Sequence, residues 1–158
     1  MNASISVERL HESPAETLAA LLADSDAAGV RFVHRLVDEW RTGANRFEQP
    51  GEALFVACRE REIVGVCGLN VDPYARSDDV RVGRVRHLYV LSAYRRLGIG
   101  VRLVTEVMKT ARHSFDRLRL RTSNPAAAEL YERLGFQRAG DDPHCTHIME
   151  LDRDSGGS

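Results

Sequence analysis

The rhythm of apolar and polar positions changes along the chain, and each change predicts an element. Residues 4–9 alternate, the two-residue period of a half-buried strand. Ser13-Pro14-Ala15-Glu16 is a capping box with proline at the first helical position, and it predicts a helix to about Ala23. A second helix is expected after an Asp24-Ser25-Asp26 cap. Its stripe is Val30, Val33, Leu36, Val37 and Trp40 at three- and four-residue spacing, and Gly43 should end it. Two β-rich runs, 53–58 and 63–69, flank the charged Arg59-Glu60-Arg61-Glu62 and read as an antiparallel hairpin. A turn at Glu60-Arg61 would pair Cys58 with Ile63.

Residues 72–80 are polar and contain proline, hence a loop. Residues 81–91 form the next strand, with Val82, Val85, Leu88 and Val90 as its apolar members. The run Tyr94-Arg95-Arg96-Leu97-Gly98-Ile99-Gly100 opens a helix to about Ser114. Leu118 and Leu120 alternate with arginines in another strand. Asn124-Pro125 caps a helix closed by Gly135, and strands at 136–139 and 145–151 follow. The expected order is βααβββαβαββ, an α/β (α+β) fold with a mixed sheet flanked by helices. One domain is expected over residues 1–152, with a disordered polar tail at 153–158.

Composition narrows the function. The 158 residues carry a formal net charge of −1, which argues against a dedicated nucleic-acid binder. No apolar run approaches the ~20 residues that span a bilayer. The N-terminus lacks the basic-then-apolar pattern of a leader, so no membrane partner and a cytoplasmic location are expected. Cys58, Cys67 and Cys145 show no CxxC spacing and read as buried thiols in a reducing compartment. His144-Cys145-x-His147 lacks a fourth ligand at a familiar spacing, so no metal is expected.

The chemistry concentrates where the strand at 84–91 meets Arg95-x-x-Gly98-x-Gly100. Glycines let a backbone turn tightly against a ligand. The first N–H groups of a helix have no intrahelical partner, and such a site suits a pyrophosphate. The run is no Walker loop, because no Gly-Lys-Ser/Thr follows. It is no complete dinucleotide fingerprint either, because the third glycine is absent. Alone it could be an ordinary strand–turn–helix.

Two linked blocks make the pattern specific. The segment Leu88-Tyr89-Val90…Tyr94-Arg95-Arg96-Leu97-Gly98-Ile99-Gly100 resembles the acetyl-CoA motif of the GNAT superfamily of N-acetyltransferases, Arg/Gln-x-x-Gly-x-Gly/Ala. The block from Asn124 to Phe136, ending Leu130-Tyr131-Glu132-Arg133-Leu134-Gly135-Phe136, is similar to the family's next motif. The resemblance implies a mostly antiparallel GNAT-like sheet and acetyl-CoA as cosubstrate. The main chain of Leu88, Tyr89 and Val90 would pair with the pantetheine arm, and the amides of Arg95, Arg96, Leu97, Gly98, Ile99 and Gly100 would hold the pyrophosphate. Asn124 would contact the cofactor near the thioester, and Tyr131 would stand beside its sulfur.

In the mechanism so implied, a neutral amine attacks the thioester, the Val90 N–H stabilises the oxyanion and Tyr131 protonates the thiolate. Tyr131 could also be a core aromatic. Many relatives carry a glutamate on the fourth strand as base, but here the region reads Arg84-Val85-Arg86-His87. His87 is the nearest titratable candidate, beside two alternatives, an ordinary strand histidine or a water chain.

In an unbroken strand Arg84 and Arg86 share parity with Leu88 and Val90. If they reach the acceptor cleft they favour a carboxylate, phosphate or sulfonate on the substrate, and Arg119 and Arg121 could extend the stripe. The alternative is a solvated face. Asp72, Asp78, Asp79, Asp141 and Asp142 lie in expected loops and could attract a cation. The expected activity is N-acetylation of a small-molecule amine, and a homodimer is compatible with it. Competing readings are a protein or peptide acetyltransferase and a non-catalytic CoA-binding regulatory domain.

Overall fold

The computed structural model describes residues 4–75 and 80–152. The expected tail, Asp78 and Asp79 lie outside the described residues. The element order is β1 (Ile5–Arg9), α1 (Pro14–Thr17), α2 (Ala19–Ala27), α3 (Phe32–Thr42), β2 (Ala53–Arg59), β3 (Glu62–Val71), β4 (Val82–Val90), α4 (Ile99–Ala111), β5 (Arg117–Leu120), α5 (Pro125–Arg133), β6 (Gln137–Asp142) and β7 (Cys145–Glu150). A 3-10 turn, Ser92–Tyr94, stands between β4 and α4.

The seven strands form one sheet in the order β1-β2-β3-β4-β5-β7-β6. Every pairing is antiparallel except β4 with β5. Helices α2 and α3 cover one face of β3 and β4, and α4 covers the other. The core comprises Leu18, Leu21, Val33 and Leu36 on the first side and Ile99, Leu103, Val104, Val107 and Phe115 on the second. No helix of the described residues is long and apolar enough to cross a membrane.

Two sequence expectations are corrected. The Asp24-Ser25-Asp26 run does not start a helix, because it lies inside α2. The Ser25 hydroxyl donates back to the Leu22 carbonyl at 2.9 Å, and the break comes at Gly29, with φ of 74°. The second correction concerns β4. Gly68 pairs with Arg86 and Val66 with Tyr89, so two steps along β3 match three along β4. The extra residue is a β-bulge centred on His87, whose φ is 60°. A bulge reverses the alternation beyond it.

Arg86 therefore shares a face with Tyr89, not with Leu88 or Val90. Their strand partners show the two sides. Gly68, opposite Arg86, lies under Phe47. Gly65, opposite Val90, lies under Leu103 and Ile99 of α4. The arginines thus face α3, and Val90 faces α4. The hairpin pairs Cys58 with Ile63 as expected, and all three cysteines are buried and free.

Candidate functional site

Strands β4 and β5 pair only from Val82, Gly83 and Arg84 to Arg117, Leu118 and Arg119. Beyond Arg84 they part, and β4 keeps one free edge. The Leu91 N–H points to β3, donating to the Val64 carbonyl at 2.9 Å. Successive strand amides alternate in direction, so the Val90 N–H and C=O point into the split. Arg95 Nε occupies that carbonyl at 3.1 Å, and its guanidinium lies 5.3 Å from the centre of the Tyr89 ring.

Past the split the chain makes the Ser92–Tyr94 turn and enters α4. Arg96, with φ of 66°, and Gly98, with φ of 79°, are both left-handed, which turns the backbone sharply. Gly98 caps α4 with no side-chain hydrogen bond, so the first helical amides are left for a ligand. A β-carbon at Gly98 would meet nothing within 4 Å, whereas one at Gly100 would come 2.9 Å from Leu130 Cδ1. The first glycine gives the turn its conformation, and the second lets α5 approach α4. Leu97 is 66% exposed at the tip.

The turn is held from α2. Asp24 Oδ2 accepts from Tyr89 Oη at 2.5 Å, Ser92 N at 3.1 Å and Ser92 Oγ at 2.9 Å. The Tyr89 hydrogen bond foremost, with those from Ser92, holds the Asp24 carboxyl below its ordinary range. Burial and Asp24 push the Tyr89 hydroxyl up to about 12. Sequence reading missed Asp24 because it looked like a helix cap.

Helix α5 brings up the second motif. Asn124 Oδ1 accepts from the Ala126 and Ala127 amides at 2.9 and 3.3 Å, so its carbonyl is spent on capping and its NH₂ remains available. Tyr131 is buried at 5% exposure against Phe136 and His147, with ring centres 5.5 and 6.4 Å away. Burial, and then the nearby Cys67 thiol, raise its hydroxyl well above the usual range. Cys67 sits on β3 opposite the β4 bulge, so Tyr131 stands level with the split on the α4 side. Burial pushes the Cys67 thiol to about 12, which makes it inert.

On the α3 side stand Arg84, Arg86 and His87. Asp72, with no exposed side-chain surface, bridges Arg84 at 3.7 Å and Arg119 at 3.1 Å. Arg119 also pairs with Asp142. Arg84 lies 5.1 Å from the centre of the Tyr74 ring, which stacks on His144 at 3.9 Å. Arg86 faces Glu39 of α3 at 3.9 Å. The arginines are therefore paired with carboxylates where they stand, and Arg121 and Asp141 are exposed, Asp141 within β6 rather than in a loop.

His87 is 8% exposed between Phe32 and Phe47, at 6.4 and 6.5 Å. Burial first, then Arg86 and Arg35, lower its pKa to about 3. A group that weak stays neutral at physiological pH and takes a proton from an ammonium poorly. The three residues of the histidine–cysteine cluster have other partners. His147 contacts Glu132 and Thr146, His144 stacks on Tyr74, and Cys145 donates to the His147 carbonyl. Among the described residues no three His, Cys, Asp or Glu side chains group as metal ligands.

Comparison with known proteins gives a consistent picture. The model of the Acetyltransferase (GNAT) family matches residues 16–136. A solved structure from Exiguobacterium sp. 255-15 superposes with a TM-score of 0.81 at 30% identity, covering 93% of each chain. An N-alpha-acetyltransferase of Sulfurisphaera tokodaii is 40% identical over 62 residues, 37% of this chain and 37% of its own length. The N-alpha-acetyltransferase RimI of Mycobacterium tuberculosis is 48% identical over 48 residues, 30% of each. The chain thus matches about a third of the length of these curated relatives.

Proposed function

Because the chain belongs to the acetyltransferase (GNAT) family, we propose that it carries the acetyl group of acetyl-CoA to a primary amine of a small molecule. We read it as a single domain over residues 1–152, working in the cytoplasm, where its three unpaired thiols suit a reducing medium. The observation that carries this reading is the free edge of β4 running into a glycine-bearing turn and an open helix start. An edge amide that points into a split, followed by unpaired helix amides, suits an elongated ligand ending in phosphates.

The residues present fit acetyl-CoA. The Val90 N–H faces the split, and the space beside Gly98 is open to 4 Å. Leu88, Tyr89 and Val90 would hold the pantetheine arm, and the amides from Arg95 to Gly100 the pyrophosphate. Arg95 would leave the Val90 carbonyl for the phosphates, and the Asn124 NH₂ would hold the arm from the far side. The cosubstrate supplies an acetyl thioester. The Val90 N–H is a fixed donor for the carbonyl oxygen as negative charge gathers there. Tyr131 keeps its proton through the physiological range and can hand it to sulfur.

The acceptor cleft lies on the α3 side. Arg84 and Arg86 are paired with carboxylates, so they offer directed donors rather than a net positive field. An acceptor oxygen, charged or neutral, suits Arg84. Radiolabelled acetyl transfer to monoamines, polyamines, free amino acids and peptides tests the reading. Transfer to small amines supports it, and transfer to none overturns it.

A second reading rests on the curated relatives, both N-alpha-acetyltransferases. In that case the acceptor is the α-amine of a peptide. Selective transfer to peptides in the same assay would favour it.

A further inference from the structure

Three buried side-chain atoms lack a hydrogen-bond partner among the described residues: Glu39 Oε1, Arg84 Nη1 and His87 Nε2. Buried polar atoms are paired in the great majority of cases, and each exception calls for an explanation. These three share one location. Arg84 and His87 stand on β4 at the α3 face, and Glu39 reaches that face from α3, 3.9 Å from Arg86 Nη2. They border β4 from its last pairing with β5, at Arg84, into the split. A ligand on this side would find two groups able to accept, the Glu39 carboxylate and the His87 ring, and one that donates, Arg84.

We propose that Glu39 is the group that takes the proton from the acceptor ammonium, with His87 Nε2 as a second hydrogen-bond acceptor that orients it. The inference rests on the acetyltransferase reading above. It answers what β4 lacks, since its own residues at 84–87 include no carboxylate. Helix α3 supplies one instead. The Glu39 side chain is 27% exposed, so the carboxylate joins the interior to solvent and can shed the proton it collects. Arg86 Nη2 faces that carboxylate at 3.9 Å. Tyr131 approaches the split from the α4 side, so acid and base flank the strand edge without neutralising one another.

The protons and electrons balance. One ammonium N–H breaks, its electron pair stays on nitrogen, and the proton passes to Glu39. That pair forms the C–N bond to the acetyl carbon as the C–S bond breaks and leaves its pair on sulfur. Sulfur takes the Tyr131 proton, and the second proton lost by nitrogen restores the Tyr131 hydroxyl. The net change is amide, thiol and one proton released through Glu39.

The test uses the full chain, Glu39→Gln and Glu39→Asp, with the best amine of the transfer assay as probe. Glu39→Gln should lower kcat/KM about 10²-fold at pH 7 and leave the acetyl-CoA Kd and the Tm unchanged. The deficit should shrink as pH rises toward the pKa of the amine, where free base is abundant, and Glu39→Asp should restore part of the rate. Calorimetry of the same amine without acetyl-CoA should show weaker binding to Glu39→Gln. If the wild type transfers acetyl and Glu39→Gln matches it at every pH, Glu39 is not the base and only this inference falls. A uniform loss at all pH values, with a lowered Tm, makes Glu39 structural and also overturns it. No transfer by the wild type to any amine overturns the acetyltransferase reading, and the inference with it.

Discussion

Tyr89 donates its hydroxyl to Asp24 across 65 residues of sequence, at 2.5 Å. That bond ties α2 to the end of β4, one residue before the edge amide of Val90. Ser92 gives the same carboxylate two further donors. Asp24→Asn keeps the shape and loses the charge that three donors share. The carboxylate is partly exposed, so we expect a modest loss of about 1 kcal/mol after solvent screening. The acetyl-CoA Kd should rise, because the turn is no longer held. The folded pKa of Asp24 is depressed, so its contribution is present above the ordinary carboxylate pKa and fades as pH falls below it. Calorimetry with acetyl-CoA and urea melts at pH 7 and pH 3 check both effects. An unchanged Kd would mean that the turn holds itself.

The two glycines of the turn should respond differently to alanine. Gly98→Ala meets no atom but takes φ of 79°, at a cost of about 1 kcal/mol. Gly100→Ala fits its helix and pushes Leu130 Cδ1, the flexible end of a side chain. Glutamate at either position brings negative charge to the phosphate site, and the acetyl-CoA Kd should rise at least about tenfold. Calorimetry on folded variants decides it, and unchanged affinity would reduce the motif to a turn.

Tyr131→Phe should lower kcat by roughly one to three orders of magnitude. The hydroxyl makes no hydrogen bond among the described residues, so its loss should barely change the Tm or the acetyl-CoA Kd. Steady-state kinetics beside a thermal melt separate the outcomes. A normal kcat would remove Tyr131 as the acid, and a matching loss of stability would make it a packing residue.

His87 gives the fold a pH dependence. Its folded pKa of about 3 lies below the 6.5 of an unperturbed histidine. Between those values the unfolded chain binds the proton and the folded chain does not, so stability falls as pH drops from 6.5 toward 3. The contribution is bounded by about 5 kcal/mol. His87→Asn suits the left-handed backbone and should flatten this part of the slope in urea melts from pH 7 to pH 4. An unchanged slope would mean that His87 is protonated in the fold.

The sequence alone determined the order of the strands, with one helix fewer before β2 than the fold has, the hairpin register at Cys58 and Ile63, and the two motifs that point to the family. These depend on periodicity, glycine and caps, which act over a few residues. Tertiary structure decided the rest. Arg84 and Arg86 read as sharing a face with Val90, because strand alternation is local, and the bulge at His87 shows only in the register against β3. Asp24 read as a cap, because its donors lie 65 and 68 residues away. Glu39 sits three residues from Leu36 on the apolar stripe of α3 and escaped notice, although a carboxylate there is a sequence signal. Whether such a carboxylate is solvated or faces an arginine of the sheet, as Glu39 faces Arg86, depends on which strand the helix packs against, and no local pattern encodes that.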